Sequence, residues 1–286
     1  MSRLVWDQTG KRKYENGVSN AVLYTPWGVD IDGEDHENDM FNFADGLKRV
    51  VPDGQPYYFG CVWNGITSIS ESPDGADPND MWADNMKYSS LRSKETYGLT
   101  IEAYTYPDEF AACDGTGTPQ NGVKLGQQKR LPFALAYKTN IGSDSSSGTD
   151  GYLLHLVYNC TASPTDRAYE TINDSPDAIT FSWEVDSNPV KFDDPDLSGF
   201  SPVSSIIIDS TKISDSNRSV TIGSKTYCGD TIGLSRLESI LFGTDETAPV
   251  MPSPDFVLEC FRGIPEEPED EGDIPDPGFL DPEISG

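Results

Sequence analysis

Histidine is almost missing from this chain of 286 residues: there are two, His36 and His155. That leaves little material for imidazole-based acid–base catalysis or for histidine-rich metal sites. His36 sits in the acidic run Asp32-Gly33-Glu34-Asp35-His36-Glu37, and His155 alternates within a strand-like stretch, where it reads as a packed strand residue. Neither a G-x-S-x-G elbow, an H-E-x-x-H pair nor a Walker A loop occurs. The five cysteines (Cys61, Cys113, Cys160, Cys228, Cys260) are odd in number and widely spaced, with no Cys-x-x-Cys pair. This spacing signals neither a zinc ribbon nor a thioredoxin-type site, and the expectation is buried free thiols in a reducing compartment. No apolar stretch approaches the roughly 20 residues needed to span a bilayer. Met1-Ser2-Arg3-Leu4 opens without the apolar segment of a secretory signal, so the expected location is the cytosol, with no membrane contact.

Basic residues are also scarce: 20 against 48 acidic ones, for a net charge of -28. Gripping a nucleic acid takes clustered Lys and Arg that displace counterions, so this chain should repel DNA. Residues 263–286 hold nine of the acids (Glu266, Glu267, Glu269, Asp270, Glu271, Asp273, Asp276, Asp281, Glu283) and no base. Removing those nine from the 48 leaves 39 acidic against 20 basic residues, a net of -19, so the body is acidic in its own right. The N-terminus runs the other way, with Arg3, Lys11, Arg12 and Lys13 facing only Asp7. That cluster reads either as a solvated arm or as a patch complementary to an acidic surface on a neighbouring copy.

What the chain does have is turn formers and alternating strands. With 21 prolines and 26 glycines, long helices are excluded and many turns are needed. Tyr97, Leu99, Ile101 and Ala103 alternate with Thr100, Glu102 and Tyr104, and Ile179, Phe181, Trp183 and Val185 alternate with Thr180, Ser182, Glu184 and Asp186. A period of two with one polar side predicts half-buried antiparallel strands. Residues 131–139, 152–160 and 203–209 read as further strands, 18–24 as a short one, and 220–227 as a hairpin. Asn16-Gly17 predicts a two-residue hairpin turn. Ser72-Pro73-Asp74-Gly75 and Asp77-Pro78-Asn79-Asp80 predict irregular backbone between strands. Ser235 is placed to cap a helix over residues 236–242 that Gly243 ends; residues 255–261 and a turn after Pro107 are the other helical candidates. The Pro-rich acidic segment 263–286 cannot bury a core.

Three chemical patterns prove weak. Asp30-x-Asp32-Gly33-Glu34 has carboxylates at calcium-like spacing but lacks the ligand order of an EF-hand, leaving at most a weak site near residues 30–37. Cys113-Asp114-Gly115-Thr116-Gly117 has the residues of an aspartic-protease triplet in the wrong order. Carboxylate pairs suited to glycoside hydrolysis are expected by chance among 48 acids. The sequence therefore calls for no cofactor and no catalytic set. Trp6, Trp27, Trp63, Trp82 and Trp183 read as core or interface anchors.

Four stretches, spread over residues 3–190, resemble the major tail proteins (tail tube proteins) of long-tailed bacteriophages of Gram-positive bacteria. They are Trp6-Asp7-Gln8-Thr9-Gly10 through Lys13-Tyr14-Glu15-Asn16-Gly17-Val18; Trp63-Asn64-Gly65-Ile66-Thr67 with Ala83-Asp84-Asn85 and Glu102-Ala103-Tyr104-Thr105-Tyr106-Pro107; Pro132-Phe133 with Tyr137-Lys138-Thr139; and His155-Leu156-Val157-Tyr158 with Ile172-Asn173-Asp174-Ser175-Pro176 and Phe181-Ser182-Trp183-Glu184-Val185. The 220–227 hairpin and the acidic tail depart from the resemblance.

The resemblance implies an antiparallel β-sandwich or barrel with short flanking helices. It implies six-membered rings that stack into a hollow tube, with other tail proteins at the tube ends. DNA would cross an acidic lumen without binding, and the chain would be a virion protein assembled in the bacterial cytoplasm. The expected organisation is an N-terminal arm and acidic loop (1–59), a sandwich (60–262) and the tail (263–286). Candidate interface residues are Arg3, Trp6, Lys11, Arg12, Lys13, Asp74, Asp77, Asp80 and Trp82; candidate lumen-facing residues are Glu102 and Glu184. An acidic carbohydrate-binding module or hydrolase, and a virion-surface decoration or adhesion protein, stay open as alternatives.

Overall fold

The computed structural model describes residues 12–26, 58–75, 78–92, 95–120, 122–144, 149–165, 167, 169, 171, 178–213, 219–222, 225–228, 231–245 and 247–262. The strands are β1 (Lys13–Pro26), β2 (Tyr58–Val62), β3 (Ile66–Glu71), β4 (Pro78–Ala83), β5 (Met86–Arg92), β6 (Tyr97–Ala103), β7 (Gly117–Gln120) and β8 (Val123–Leu125). They continue with β9 (Phe133–Ser143), β10 (Thr149–Pro164), β11 (Phe181–Ser187), β12 (Ser205–Asp209), β13 (Ser219–Ile222) and β14 (Lys225–Cys228). Two helices close the order, α1 (Thr231–Phe242) and α2 (Pro254–Cys260), and single 3-10 turns lie at Asp108–Ala111 and Pro195–Leu197. The fold is mainly β and antiparallel, as the alternation predicts.

One eight-stranded sheet runs β2-β1-β9-β10-β11-β6-β3, with β12 on β10. Strand β10 carries it: β9 lines one edge, while the other edge holds β12 along residues 153–157 and β11 along residues 160–164. That fork splits the sheet into two layers. Its extreme strands, β2 and β3, are joined by only Trp63-Asn64-Gly65, so the sheet must curl until its ends nearly meet. Two backbone bonds stitch this seam, Trp63 N to Ala21 O at 3.0 Å and Tyr104 N to Gly65 O at 2.8 Å. Gly65 has φ +83°, and a Cβ there would meet Thr105 Cγ2 at 2.8 Å, so the crossing needs glycine.

The core between the layers is built from Leu23, Leu99, Ile101, Phe110, Phe133, Leu135, Val157, Trp183 and their neighbours. Trp183 packs edge-on against Phe110 (5.1 Å between centroids) and Trp63 (5.6 Å), the geometry ring quadrupoles favour. A second core lies on the other side of the sheet, where Leu234, Leu237 and Leu241 of α1 and Val257 of α2 cover Tyr24, Ala136, Leu154 and Leu156. Strand β9 is thus sandwiched, with Phe133, Ala134, Leu135, Ala136 and Tyr137 all buried in succession. Two-sided burial explains why its sequence alternates less cleanly than that of β6 or β11.

Three local expectations are corrected. Asn16-Gly17 makes no hairpin turn: it lies inside β1, where the register to β9 shifts between Asn16 and Val18 and Gly17 sits at φ +68°. A glycine with positive φ serves a bulge as readily as a turn. The second turn-rich run is not irregular: Pro78–Ala83 is strand, paired with Met86–Arg92. Proline is allowed at a strand's first residue, where its missing N–H breaks no ladder. Finally, Ser235 caps nothing, because α1 begins four residues earlier, at Thr231. Gly243 does follow its last turn, at φ +76°. In α2 the cap is Ser253, whose Oγ accepts from Phe256 N at 3.2 Å.

Candidate functional site

Strands β4 and β5 form a hairpin that stands apart from the main sheet. Its turn is Asp84-Asn85, both at positive φ (52° and 61°), the two-residue form whose twist matches antiparallel strands. Asp74 and Thr96 close the root: Asp74 N donates to Thr96 O at 2.9 Å and Thr96 N to Asp74 O at 2.7 Å. The register places Met81, Met86 and Leu91 on one face, and Asp80, Trp82, Lys87 and Ser90 on the other. Asp80 accepts from Ser90 Oγ at 2.8 Å and pairs with Lys87 Nζ at 2.7 Å, and the Lys87 bond is the main cause holding its carboxyl below the usual value. Met81, Trp82, Met86, Tyr88 and Leu91 are 46–74% exposed. Five large apolar side chains on a short unsupported hairpin are what an unpartnered contact surface looks like.

A second surface lies on the side of β3, β6 and β11 that faces away from the core of Leu99, Ile101, Trp183 and Val185. Antiparallel pairing sets Ser182 against Glu102, Glu184 against Thr100 and Asp186 against Gly98, so Glu102, Glu184 and Asp186 share one face. Glu102 is held by Ser68 Oγ at 2.9 Å. Strands β3, β6 and β11 contain no Lys or Arg, so these strands give the face acidic and hydroxyl side chains, with Gly98 between, and no base. Both candidate lumen residues are therefore brought together on one sheet face.

The other candidates separate into groups. Arg3, Trp6, Lys11 and Asp77 lie outside the described residues, as do His36 and the acidic run 30–37. The Arg12 guanidinium is 3.9 Å from Asp144, and Lys13 Nζ donates to Thr211 Oγ1 at 3.3 Å, both within the same chain. Asp74 serves the hairpin root and Asp80 the hairpin's polar face, leaving Trp82 the one among these with its side chain given over to solvent.

Among the described residues the buried polar side chains are Asp114, Ser143, His155 and Ser187, and two of them, Asp114 and His155, are ionisable. Asp114 is buried, where it accepts from Trp183 Nε1 at 2.9 Å and Arg167 Nη2 at 2.8 Å. It fixes the Trp183 ring and pairs with the Arg167 guanidinium. His155 stacks on Tyr137 (4.5 Å, 4° between planes), with Nε2 3.0 Å from Thr139 Oγ1 and Nδ1 3.5 Å from Glu71 Oε1. Tyr137 donates to that same Glu71 oxygen at 2.8 Å. Burial pushes the imidazole below its ordinary value, against the opposing pull of Glu71 and Glu15. Cys61, Cys113, Cys160 and Cys260 are free thiols, and burial drives Cys61 and Cys113 up to about 12, so they stay protonated and unreactive. Among the described residues no cluster of three or more His, Cys, Asp or Glu is placed to hold a metal. No described helix is long and apolar enough to cross a membrane.

Sequence reasoning missed the apolar face of Met81, Met86 and Leu91, because Pro78 and the Asp/Asn-rich run masked a strand. The signal was present: Asp84-Asn85 between two runs of bulky residues is a hairpin turn. It also missed a basic segment at residues 122–130, described below. No protein-family model matches the chain, and no curated protein is significantly similar to it.

Proposed function

We propose that this chain is a self-assembling structural protein: a subunit of a phage tail tube, built of stacked rings whose acidic bore passes DNA. The observation that carries the reading is the β4–β5 hairpin. A two-stranded hairpin is marginal alone in water, and this one leaves Met81, Met86 and Leu91 on one face, 46%, 64% and 57% exposed among the described residues. Burying those three against a neighbouring copy would gain roughly 1.5–3 kcal/mol each at full burial. That gain makes assembly the favourable state of the hairpin. The base-free face of Glu102, Glu184 and Asp186 supports the second half of the reading. Like charge repels a polyanion, and no counterion release rewards contact. In this reading the protein acts on no substrate.

The test replaces Met81, Met86 and Leu91 together by Ser and follows assembly by sedimentation velocity. Circular dichroism should show the sandwich intact, because the hairpin lies outside both cores. Assembled species should disappear. Assembly equal to that of the unaltered chain would refute the role given to the hairpin.

A further inference from the structure

The strongest unassigned feature is a basic surface on an acidic molecule. From Gly115 to Ser143 the chain holds Lys124, Lys129, Arg130 and Lys138 and not one acidic residue. Lys138 is spoken for, bonded to Glu238 and lying over the Tyr152 ring. The other three belong to the β7–β8 hairpin and the segment after it, where every residue from 122 to 130 is exposed. Among the described residues, none of these three side chains lies within ion-pair distance of a carboxylate.

The surface is built rather than loose. Thr116 N donates to Ala111 O at 2.8 Å, Gln128 N to Gly115 O at 2.9 Å and Leu131 N to Ala112 O at 3.2 Å, tying both ends of the segment to the turn that buries Phe110. The Arg130 stem lies against Gly115, and Lys124 Nζ sits 5.2 Å from the centre of the Tyr106 ring. Val123 and Leu125, 43% and 49% exposed, add apolar area beside the charges. A fixed arrangement of this kind loses little entropy on binding.

Its position in the fold selects the partner. The β4–β5 hairpin precedes β6 and the β7–β8 segment follows it, so the two leave from opposite ends of that strand. Residues 74–95, the hairpin and its root, hold five acids (Asp74, Asp77, Asp80, Asp84, Glu95) against three bases (Lys87, Arg92, Lys94); Asp74, Asp84 and Glu95 are exposed, and Lys87 is paired with Asp80. We infer that Lys124, Lys129 and Arg130 form a docking surface for the acidic hairpin end of a second copy of this chain, a head-to-tail contact between successive layers. This rests on the tail tube reading and adds to it which end meets which. The net charge of -28 favours another copy over a nucleic acid as the occupant.

The experiment compares the full chain with the variant Lys124→Glu/Lys129→Glu/Arg130→Glu by sedimentation velocity across 0.05–0.5 M salt, about the span in which screening grows strong. Assembly of the unaltered chain should weaken as salt rises. The triple variant should keep its melting temperature and lose at least about tenfold in association at the lowest salt, roughly the cost of one good charge contact at an interface. Zero-length carbodiimide cross-linking of assembled wild-type protein should join Lys124 or Lys129 to Asp74, Asp84 or Glu95 of another copy. Unchanged assembly of the triple variant, or cross-links only to other carboxylates, overturns this inference and leaves the tail tube reading standing. A wild-type chain that never self-associates overturns both. Duplex DNA bound by the wild type and released by the triple reversal also overturns it, making the surface a nucleic-acid site instead.

Discussion

His155 shows how one side chain ties the two layers together. It sits on β10, stacks on Tyr137 of β9, and reaches Glu71 at the end of β3, three residues before the hairpin root at Asp74. Because burial holds its ionisation below the ordinary 6.5, the folded protein binds this proton less tightly than the unfolded chain does. On acidification the unfolded chain is charged first. The stability linked to the neutral ring is therefore present above about 6.5 and lost as the pH falls through that value toward the lower folded one. His155→Gln removes the linkage. The difference in melting temperature between wild type and variant should narrow or reverse from pH 7.5 to pH 5.0. A difference that stays constant over this range would mean that His155 is not held neutral by burial. Carboxylates remote from His155, unlike Glu71 and Glu15, cancel in the comparison.

Among the elements, what could be read from the sequence depended on how each is buried. β6 and β11 were legible to within two residues because one side of each faces a core and the other water. β9 was harder because both of its sides are covered, and β4 was missed because Pro78, Asn79 and Asp80 are turn formers that here begin a strand. The start of α1 was missed because Thr231-Ile232-Gly233 is a poor helical sequence, and packing against Tyr24, Leu154 and Leu156 overrides that weakness. For the candidate surfaces, Trp82, Glu102 and Glu184 could be picked out singly. That Glu102 and Glu184 share one face follows only from the β6–β11 register, which no single strand's pattern contains. The basic segment escaped notice because Lys124 is separated from Lys129 and Arg130 by Leu125-Gly126-Gln127-Gln128, and its meaning depends on the absence of acids around it. The acidic face yields its own prediction. On the proposed tail tube reading, Glu102→Lys together with Glu184→Lys, both outside the cores, should leave ring formation in place and make the proposed bore retain DNA. Retention is read as DNA co-sedimenting with assembled protein at low salt. If the substituted assemblies release DNA as freely as the wild type, the face does not line the path.

Taken as one body, the chain combines a doubly packed sheet, a projecting apolar hairpin, a base-free acidic face and, at the far end of β6, an exposed basic segment. The cores account for folding. On the proposed tail tube reading, the surfaces would be contacts between copies, with charge of opposite sign at opposite ends and an acidic face left for the bore. A net charge of -28 opposes association at a distance, so on that reading assembly would rest on specific contacts of this kind. The central claim is that the chain assembles with itself, and electron microscopy of the purified full-length protein in negative stain tests it most directly. The account predicts stacked rings or hollow tubes of uniform width. A field of dispersed single molecules at every concentration and salt condition would contradict it.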